Sequence, residues 1–394
     1  MSVSLASKPA TDRAAEPAGI TFRPDIEGLR AVAVGAVVLG HAGAPFFHGG
    51  YVGVDVFFVI SGFLITSLLL RERLGTGRIS IKGFYARRVT RLLPASALVV
   101  AATLVASWLW LPATRFASIV GDALASAFYL VNDRLAVSGT DYLNADAAPS
   151  PLQHFWSLAV EEQFYFVWPV LLIVLTVAWR HRTSIRRKPI AAVLAVLVVV
   201  SLAISVVQTS ASAPWAYFGT QTRVWELALG ALVAVAANRL SAIRSGPAAA
   251  LTWCGLAAVA VSVLWFDDAT AYPGYAAALP VVGAAAVIAG GCARPRGGAG
   301  LLLDTGPFQF LGKISYGYYL WHWPVLMIGP AALGVAASLK VNLALVAGAL
   351  VLALLSYHLI ENPVRRRKIL KQKPWRGIGL GAALSAGTAA IAVA

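Results

Sequence analysis

An all-α polytopic membrane protein is the fold class this sequence predicts, on three observations. Of its 394 residues, 59% are hydrophobic and only 12% charged, about half the charged fraction of a soluble domain. The apolar residues fall into repeated runs of about 17 to 25, the length of helix that crosses a bilayer core. The basic residues gather in alternate connections, as the positive-inside rule requires. A β-barrel would show short alternating segments instead.

Residues 1–27 are polar and mixed in charge, with Pro9, Pro17 and Pro24. They lack the basic start, short apolar stretch and cleavage site of a secretory signal, and read as a flexible cytoplasmic tail. Residues 28–364 then read as a transmembrane domain of about ten core helices, at roughly 29–45, 51–70, 94–111, 155–179, 189–207, 220–238, 249–266, 275–292, 309–333 and 341–360. Residues 365–394 supply a basic linker and an eleventh helix at 377–394. With the N-terminus inside, the inner connections hold all but five of the 32 Lys and Arg residues. They include "RERLGTGRISIKGFYARRVTR", "RHRTSIRRK" and "VRRRKILKQKPWR", whereas the outer "WFDDATAYPG" is acidic. Residues 116–135, "FASIVGDALASAFYLVNDRL", are apolar enough to tempt a span, but a crossing there would invert every later loop. They are expected to lie at the outer side without spanning. The last run ends at Ala394 with no polar tail, which suits a chain whose outer domain lies beyond it.

No repeat of 20 to 50 residues is visible, which argues against a solenoid. No duplication of halves supports an inverted-repeat transporter. Cys254 and Cys292 give neither a disulfide framework nor a metal-ligand spacing, so no metal is expected. The net charge of +15 is explained by loop topology, and no nucleic-acid partner is expected.

The informative residues are the polar ones inside apolar runs, because a charge at mid-bilayer costs about 2.5–3.5 kcal/mol. In "GLRAVAVGAVVLGHAG", Arg30 and His41 are eleven apart, about three turns, and so share one helix face with Arg30 at the inner end. Asp55 begins the next span, "GGYVGVDVFFVISGFLIT", where it is placed to pair with His41 across the turn "PFFHGG". On the inner side, "FYARRVTRLLP" gathers Arg87, Arg88 and Arg91 within about one turn. That density suits phosphate, which guanidinium groups bind in a planar fork. In "FWSLAVEEQFYFVWP", Ser157 and Glu161 share a face, while the adjacent Glu161 and Glu162 are expected to point apart. In "TRVWELALG", Arg223 and Glu226 are three apart, which also suits an ion pair that neutralises itself. "KISYGYYLWHWPV" sets Ser315, Tyr319 and His322 on one face, flanked by Trp321 and Trp323. "HLIENPVRRRK" ends the tenth span with Glu361 and Asn362, read as helix-end structure.

Taken in order, "FRPDIEGLRAVAV…H", "GGYVGVDVFFVISGFLIT", "FYARRVTRLLP", "FWSLAVEEQFYFVWP", "RVWELALG", "ISYGYYLWHWPV" and "ENP" cover residues 22 to about 364. They resemble the integral-membrane acyltransferase family 3, the bacterial glycan O-acyltransferases. The resemblance implies a multi-pass protein of the bacterial plasma membrane with a cytoplasmic N-terminus. It implies transfer of an acyl group, often acetyl, from cytoplasmic acyl-CoA to a hydroxyl of an extracytoplasmic glycan or glycolipid. The family's spaced Arg and His fall on Arg30 and His41, its basic motif on Arg87, Arg88 and Arg91, and its acidic stretch on Glu161 and Glu162. Some members carry an SGNH-type domain after an eleventh helix; this sequence has the helix without that domain.

On this reading Arg87, Arg88 and Arg91 hold the donor's phosphates. Arg30 guides the pantetheine arm or polarises the thioester carbonyl. His41 acts as general base or takes the acyl group itself. Asp55 or Glu161, with Glu162 beside it, orients and balances the imidazole. Ser157, Arg223, Glu226, Ser315, Tyr319 and His322 are the candidate substrate contacts. A polar corridor from Arg30 to His41 is expected. A proton-coupled carrier, or a non-catalytic scaffold of a glycan-modification system, would also place ionisable residues in spans.

Overall fold

The computed structural model describes residues 22–140, 148–177, 187–367, 369–370 and 373–393. Among these residues the regular structure is helical. Chain order gives α1 (Pro24–His41), α2 (Gly53–Thr76), α3 (Ile81–Trp110), α4 (Ala113–Ala127), α5 (Val131–Thr140) and α6 (Phe155–Val177). There follow α7 (Arg187–Ala211), α8 (Ala213–Phe218), α9 (Val224–Leu240), α10 (Ser245–Trp265) and α11 (Ala278–Gly291). The chain closes with α12 (Gly300–Leu303), α13 (Gly306–Leu333), α14 (Leu339–Ser356), α15 (Asn362–Arg366) and α16 (Pro374–Val393).

Seven of these, α2, α3, α6, α7, α10, α14 and α16, are long and apolar enough to cross a membrane. The other four expected spans fall on α1, α9, α11 and α13. α1 packs on α13 and α2, α9 on α2 and α7, and α11 on α10. A helix surrounded by protein needs no lipid-compatible surface, so these tolerate polar residues or reduced length. By contrast α7 presents Val196, Val199, Val200 and Val207 outward, as a lipid-facing helix does.

Local chemistry sets the helix ends. Pro24 starts α1, where its fixed φ suits the first turn. The expected tail lies outside the described residues as far as residue 21. From Pro24 it is already helix, and Arg23 pins that end by an ion pair to Asp25 (2.6 Å) and a bond to the Ile288 carbonyl (3.1 Å). The Ser80 hydroxyl caps α3 by accepting from the Gly83 amide. Gly77 and Gly334, both at positive φ, close α2 and α13. The 116–135 segment does not form one long helix. It divides into α4 and α5, joined by the Arg134–Asp122 ion pair (2.8 Å).

Two glycines set the central helix crossing. Gly62 of α2 lies against the Leu227 carbonyl of α9, and Gly230 of α9 against the Val59 carbonyl of α2; neither leaves room for a Cβ. Small residues let membrane helices approach this closely. The crossing brings Asp55 of α2 beside the start of α9, which decides one of the pairings below.

Candidate active site

At the end of the bundle where α1 finishes, three histidines converge. His41 Nδ1 lies 3.0 Å from His322 Nε2 of α13, with the two rings stacked at 5.3 Å between centroids. His322 is fully buried, and its Nδ1 lies 2.5 Å from the Tyr319 carbonyl oxygen. A carbonyl only accepts, so His322 Nδ1 carries the proton and its Nε2 a lone pair. His41 Nδ1–H therefore donates to that lone pair. This leaves His41 Nε2 as a bare, oriented acceptor, the state a general base or nucleophile requires. Trp323 packs on His41 at 4.6 Å and donates to the Ser150 carbonyl (2.8 Å).

The third histidine, His154, was not singled out in the sequence. Its Nε2–H donates to the Leu320 carbonyl (3.0 Å), its ring lies 5.8 Å from that of His322, and its Nδ1 is buried without a partner. The available signal was a histidine in "PLQHFW", immediately before an apolar run. The Tyr319 hydroxyl donates to the His154 carbonyl (3.0 Å) and shares a hydrogen bond with the Ser157 hydroxyl (2.8 Å).

A cavity of about 520 Å³ enters from the opposite, basic end. Arg30, Arg88 and Arg91 line its middle, with Glu161. Ser157, Ser315 and Tyr319 also line it, and the Ser315 hydroxyl is buried without a partner. His41 is not among the lining residues. The expected continuous corridor is therefore corrected. Of its lining residues Tyr319 stands beside His322, with ring centroids 5.3 Å apart.

The expected partners of His41 are corrected as well. Asp55 does not meet His41. It is wholly buried and accepts from Arg223 (2.7 Å), which also pairs with Glu226 (3.2 Å). The α2–α9 crossing brings these together, and Trp156, Tyr217 and Tyr272 enclose the guanidinium at 5.1–5.3 Å. Arg223 and Glu226 line neither cavity, so their place is an internal ion network. Glu161 does not meet His41 either. It accepts from Ser61 (2.6 Å), from Tyr165 and from Arg88 (3.4 Å). Nor do Glu161 and Glu162 diverge. Glu162 also reaches Arg88 (3.1 Å), because that long side chain passes between them, its guanidinium 3.9 Å over the Tyr165 ring.

The three-arginine cluster divides too. Successive helical positions are about 100° apart, so Arg87 turns away to Glu72 (2.8 Å) and stays half-exposed. Arg88 is neutralised by two carboxylates. Arg91 alone of the three makes no ion pair among the described residues, and it is exposed along the cavity. Arg30 pairs with Glu27 (3.2 Å) and faces the same space. Among the described residues no group of three His, Cys, Asp or Glu could hold a metal.

A hydrogen-bonded histidine pair at one end and a cavity lined by arginines at the other sit within a bundle of long apolar helices, the architecture of a polytopic membrane protein. The chain belongs to the acyltransferase domain family, whose profile matches residues 23–360. YrhL of Bacillus subtilis strain 168 is 34% identical over 355 residues, covering 87% of this chain and 55% of YrhL. The peptidoglycan O-acetyltransferase OatA of Listeria monocytogenes is 32% identical over 352 residues, 88% of this chain and 56% of that protein. The O-acetyltransferase OatA of Staphylococcus aureus strain NCTC 8325 is 31% identical over 358 residues, 88% and 58%. The chain thus spans somewhat more than half the length of these relatives. No solved structure matches it.

Proposed function

We propose that this chain transfers an acyl group, acetyl in the first instance, from acyl-CoA to a hydroxyl of a cell-wall glycan. The N-terminus and the basic end face the cytoplasm of a bacterial plasma membrane. The observation that carries the reading is the hydrogen-bond order Tyr319 carbonyl, His322, His41, which leaves His41 Nε2 free as a base beyond a basic cavity. The peptidoglycan O-acetyltransferase OatA of Listeria monocytogenes, among the relatives, supports the acceptor class. The donor's features fit the basic cavity: unpaired Arg91 suits its phosphates, and the unpartnered Ser315 hydroxyl suits an amide of its arm.

When bound, the thioester supplies an activated acyl carbon. His41 Nε2 takes the proton of the acceptor hydroxyl, whose oxygen forms the ester bond as the carbon–sulfur bond breaks. The proton passes to the departing thiolate. His322 holds the imidazole in one tautomer, and its backbone anchor plays the part that a carboxylate plays in other triads. The acyl group reaches His41 past Tyr319, which lines the cavity beside His322. Asp55, Arg223 and Glu226 maintain the fold around these groups.

Inside-out vesicles bearing the protein, given labelled acetyl-CoA and a peptidoglycan acceptor within, should place label on the glycan. His41→Ala should still bind CoA but transfer 10²–10⁴-fold more slowly, the usual contribution of a general base. Normal transfer by His41→Ala removes the histidine from the reaction. A coupled pH gradient without labelled product would instead identify a carrier.

A further inference from the structure

A second cavity of about 500 Å³ lies beside the first at the basic end. Arg30 and Arg91 line both, standing between them like a partition. Its far side is built from Lys313 of α13 and from Arg365 and Glu361, which follow α14. Lys313 and Arg365 make no ion pair among the described residues and are exposed. Lys313 Nζ lies 5.4 Å from the centre of the Tyr357 ring. Arg365 makes only long contacts, to the Tyr357 hydroxyl (3.5 Å) and Asn362 Oδ1 (3.4 Å). A π-helical turn, Tyr357–Glu361, shapes this wall, and such turns recur at functional sites. The buried Glu361 Oε1 has no partner. Glu361, read in the sequence as helix-end structure, thus lines a cavity together with Arg365.

We propose that this second cavity seats the phosphorylated nucleotide end of the donor, with Lys313, Arg365 and Arg91 as its phosphate contacts. This rests on the acyl-CoA reading above and deepens it. Four cations line the cavity against two carboxylates, Glu27 and Glu361, and Glu27 is already paired with Arg30. The surplus positive charge sits where an anion can enter from solvent. The first cavity is also bordered by cations, Arg71 and Arg294 among them, but it adds an apolar stretch of Phe57, Phe58, Leu64 and Leu68, a surface that suits an uncharged arm. The partition gives the order: phosphates outside Arg30 and Arg91, arm and thioester inside. Glu361 accepts from a ribose hydroxyl or a base amine, the donors that accompany such phosphates. Among the arginines of the sequence motif only Arg91 then touches the phosphates.

The test uses the whole protein in lipid nanodiscs and two readouts. The first is calorimetric binding of adenosine 3′,5′-bisphosphate, which needs no transfer. Wild type should bind it, and Lys313→Gln and Arg365→Gln should each weaken binding about tenfold, their double variant more. The second is transfer kinetics with acetyl-CoA against acetyl-pantetheine. Each variant should raise KM about tenfold more for acetyl-CoA than for acetyl-pantetheine, with kcat for acetyl-CoA retained. Equal binding of the bisphosphate by wild type and variants overturns the assignment, and so does an equal KM change for the two donors. A variant whose only defect is lost dependence on anionic lipid would mark the cavity as a headgroup site and also overturns it. Bisphosphate binding that depends on Lys313 and Arg365, in a protein that transfers nothing, sustains the nucleotide site while refuting the transferase reading.

Discussion

Replacing His322 with leucine tests the hydrogen-bond order on which the catalytic reading depends. Leucine keeps the packing of a fully buried position but removes the acceptor 3.0 Å from His41 Nδ1. His41 would then hold an unsatisfied buried N–H or change tautomer, and the change puts the proton on the nitrogen that must act as base. Leaving such a group unpaired costs about 1–3 kcal/mol. At 1.36 kcal/mol per tenfold, kcat should fall roughly 5- to 150-fold. The fall should be smaller than for His41→Ala, because the base itself remains. KM for acetyl-CoA should stay near wild type, since His322 lines neither cavity. His322→Gln is the discriminating partner variant. Its amide oxygen can accept from His41, and its NH₂ can donate to the Tyr319 carbonyl, so much of kcat should return. The assay is transfer of labelled acetyl to a peptidoglycan acceptor, with thermal unfolding alongside to confirm that both variants are folded. Leucine within twofold of wild type, or glutamine no better than leucine, refutes the argument that His322 positions His41.

Three further outcomes follow from the ion pairs and the helix crossing. Arg223→Leu strands Asp55 and Glu226 as buried carboxylates and should cost about 3–5 kcal/mol, read as loss of the monodisperse peak in detergent. Adding Asp55→Asn and Glu226→Gln to the same chain should restore it. Gly62→Ala drives a methyl into the Leu227 carbonyl and should cost about 1–3 kcal/mol as an overpacked contact; Gly35→Ala, which meets open space, should leave the unfolding midpoint unchanged. Arg88→Gln removes the cation shared by Glu161 and Glu162 and should lower the midpoint markedly, with Glu162→Gln in the same chain recovering most of the loss.

The helices were legible because the bilayer imposes a length and a polarity that can be read one segment at a time. Loop charge set residues 116–135 apart from the spans, and the structure shows them as two short helices bound to each other by Asp122 and Arg134. Partners were not legible. Periodicity gives the face on which a side chain lies but not which helix meets that face. His41 finds His322, 281 positions away, because α1 packs on α13. Asp55, expected beside His41, instead meets Arg223, 168 positions away, because two glycines draw α9 onto α2. Side-chain length misled as well. Adjacent carboxylates diverge from the backbone, yet one extended arginine reaches both Glu161 and Glu162.

The distribution of paired and unpaired charge explains why the two ends of the bundle can serve different steps. Within the bundle nearly every acid has its cation: Asp55 and Glu226 share Arg223, Glu161 and Glu162 share Arg88, and Glu27 holds Arg30. In the second cavity Arg91, Lys313 and Arg365 make no ion pair among the described residues, and of its two carboxylates Glu361 is the one not held in an ion pair. At the other end stand three histidines, and among the described residues no acid pairs with His41. On the proposed reading, an anionic tail is drawn to one end and the base stands at the other. A charged partner for His41, such as the Asp55 expected from sequence, would have placed a carboxylate in the path of any anion moving up the cavity. A backbone carbonyl orients the ring without adding that charge. Under the proposed donor, surplus cation at one end and the histidines at the other would let a phosphate-tailed thioester enter by its reactive end and remain anchored by its other.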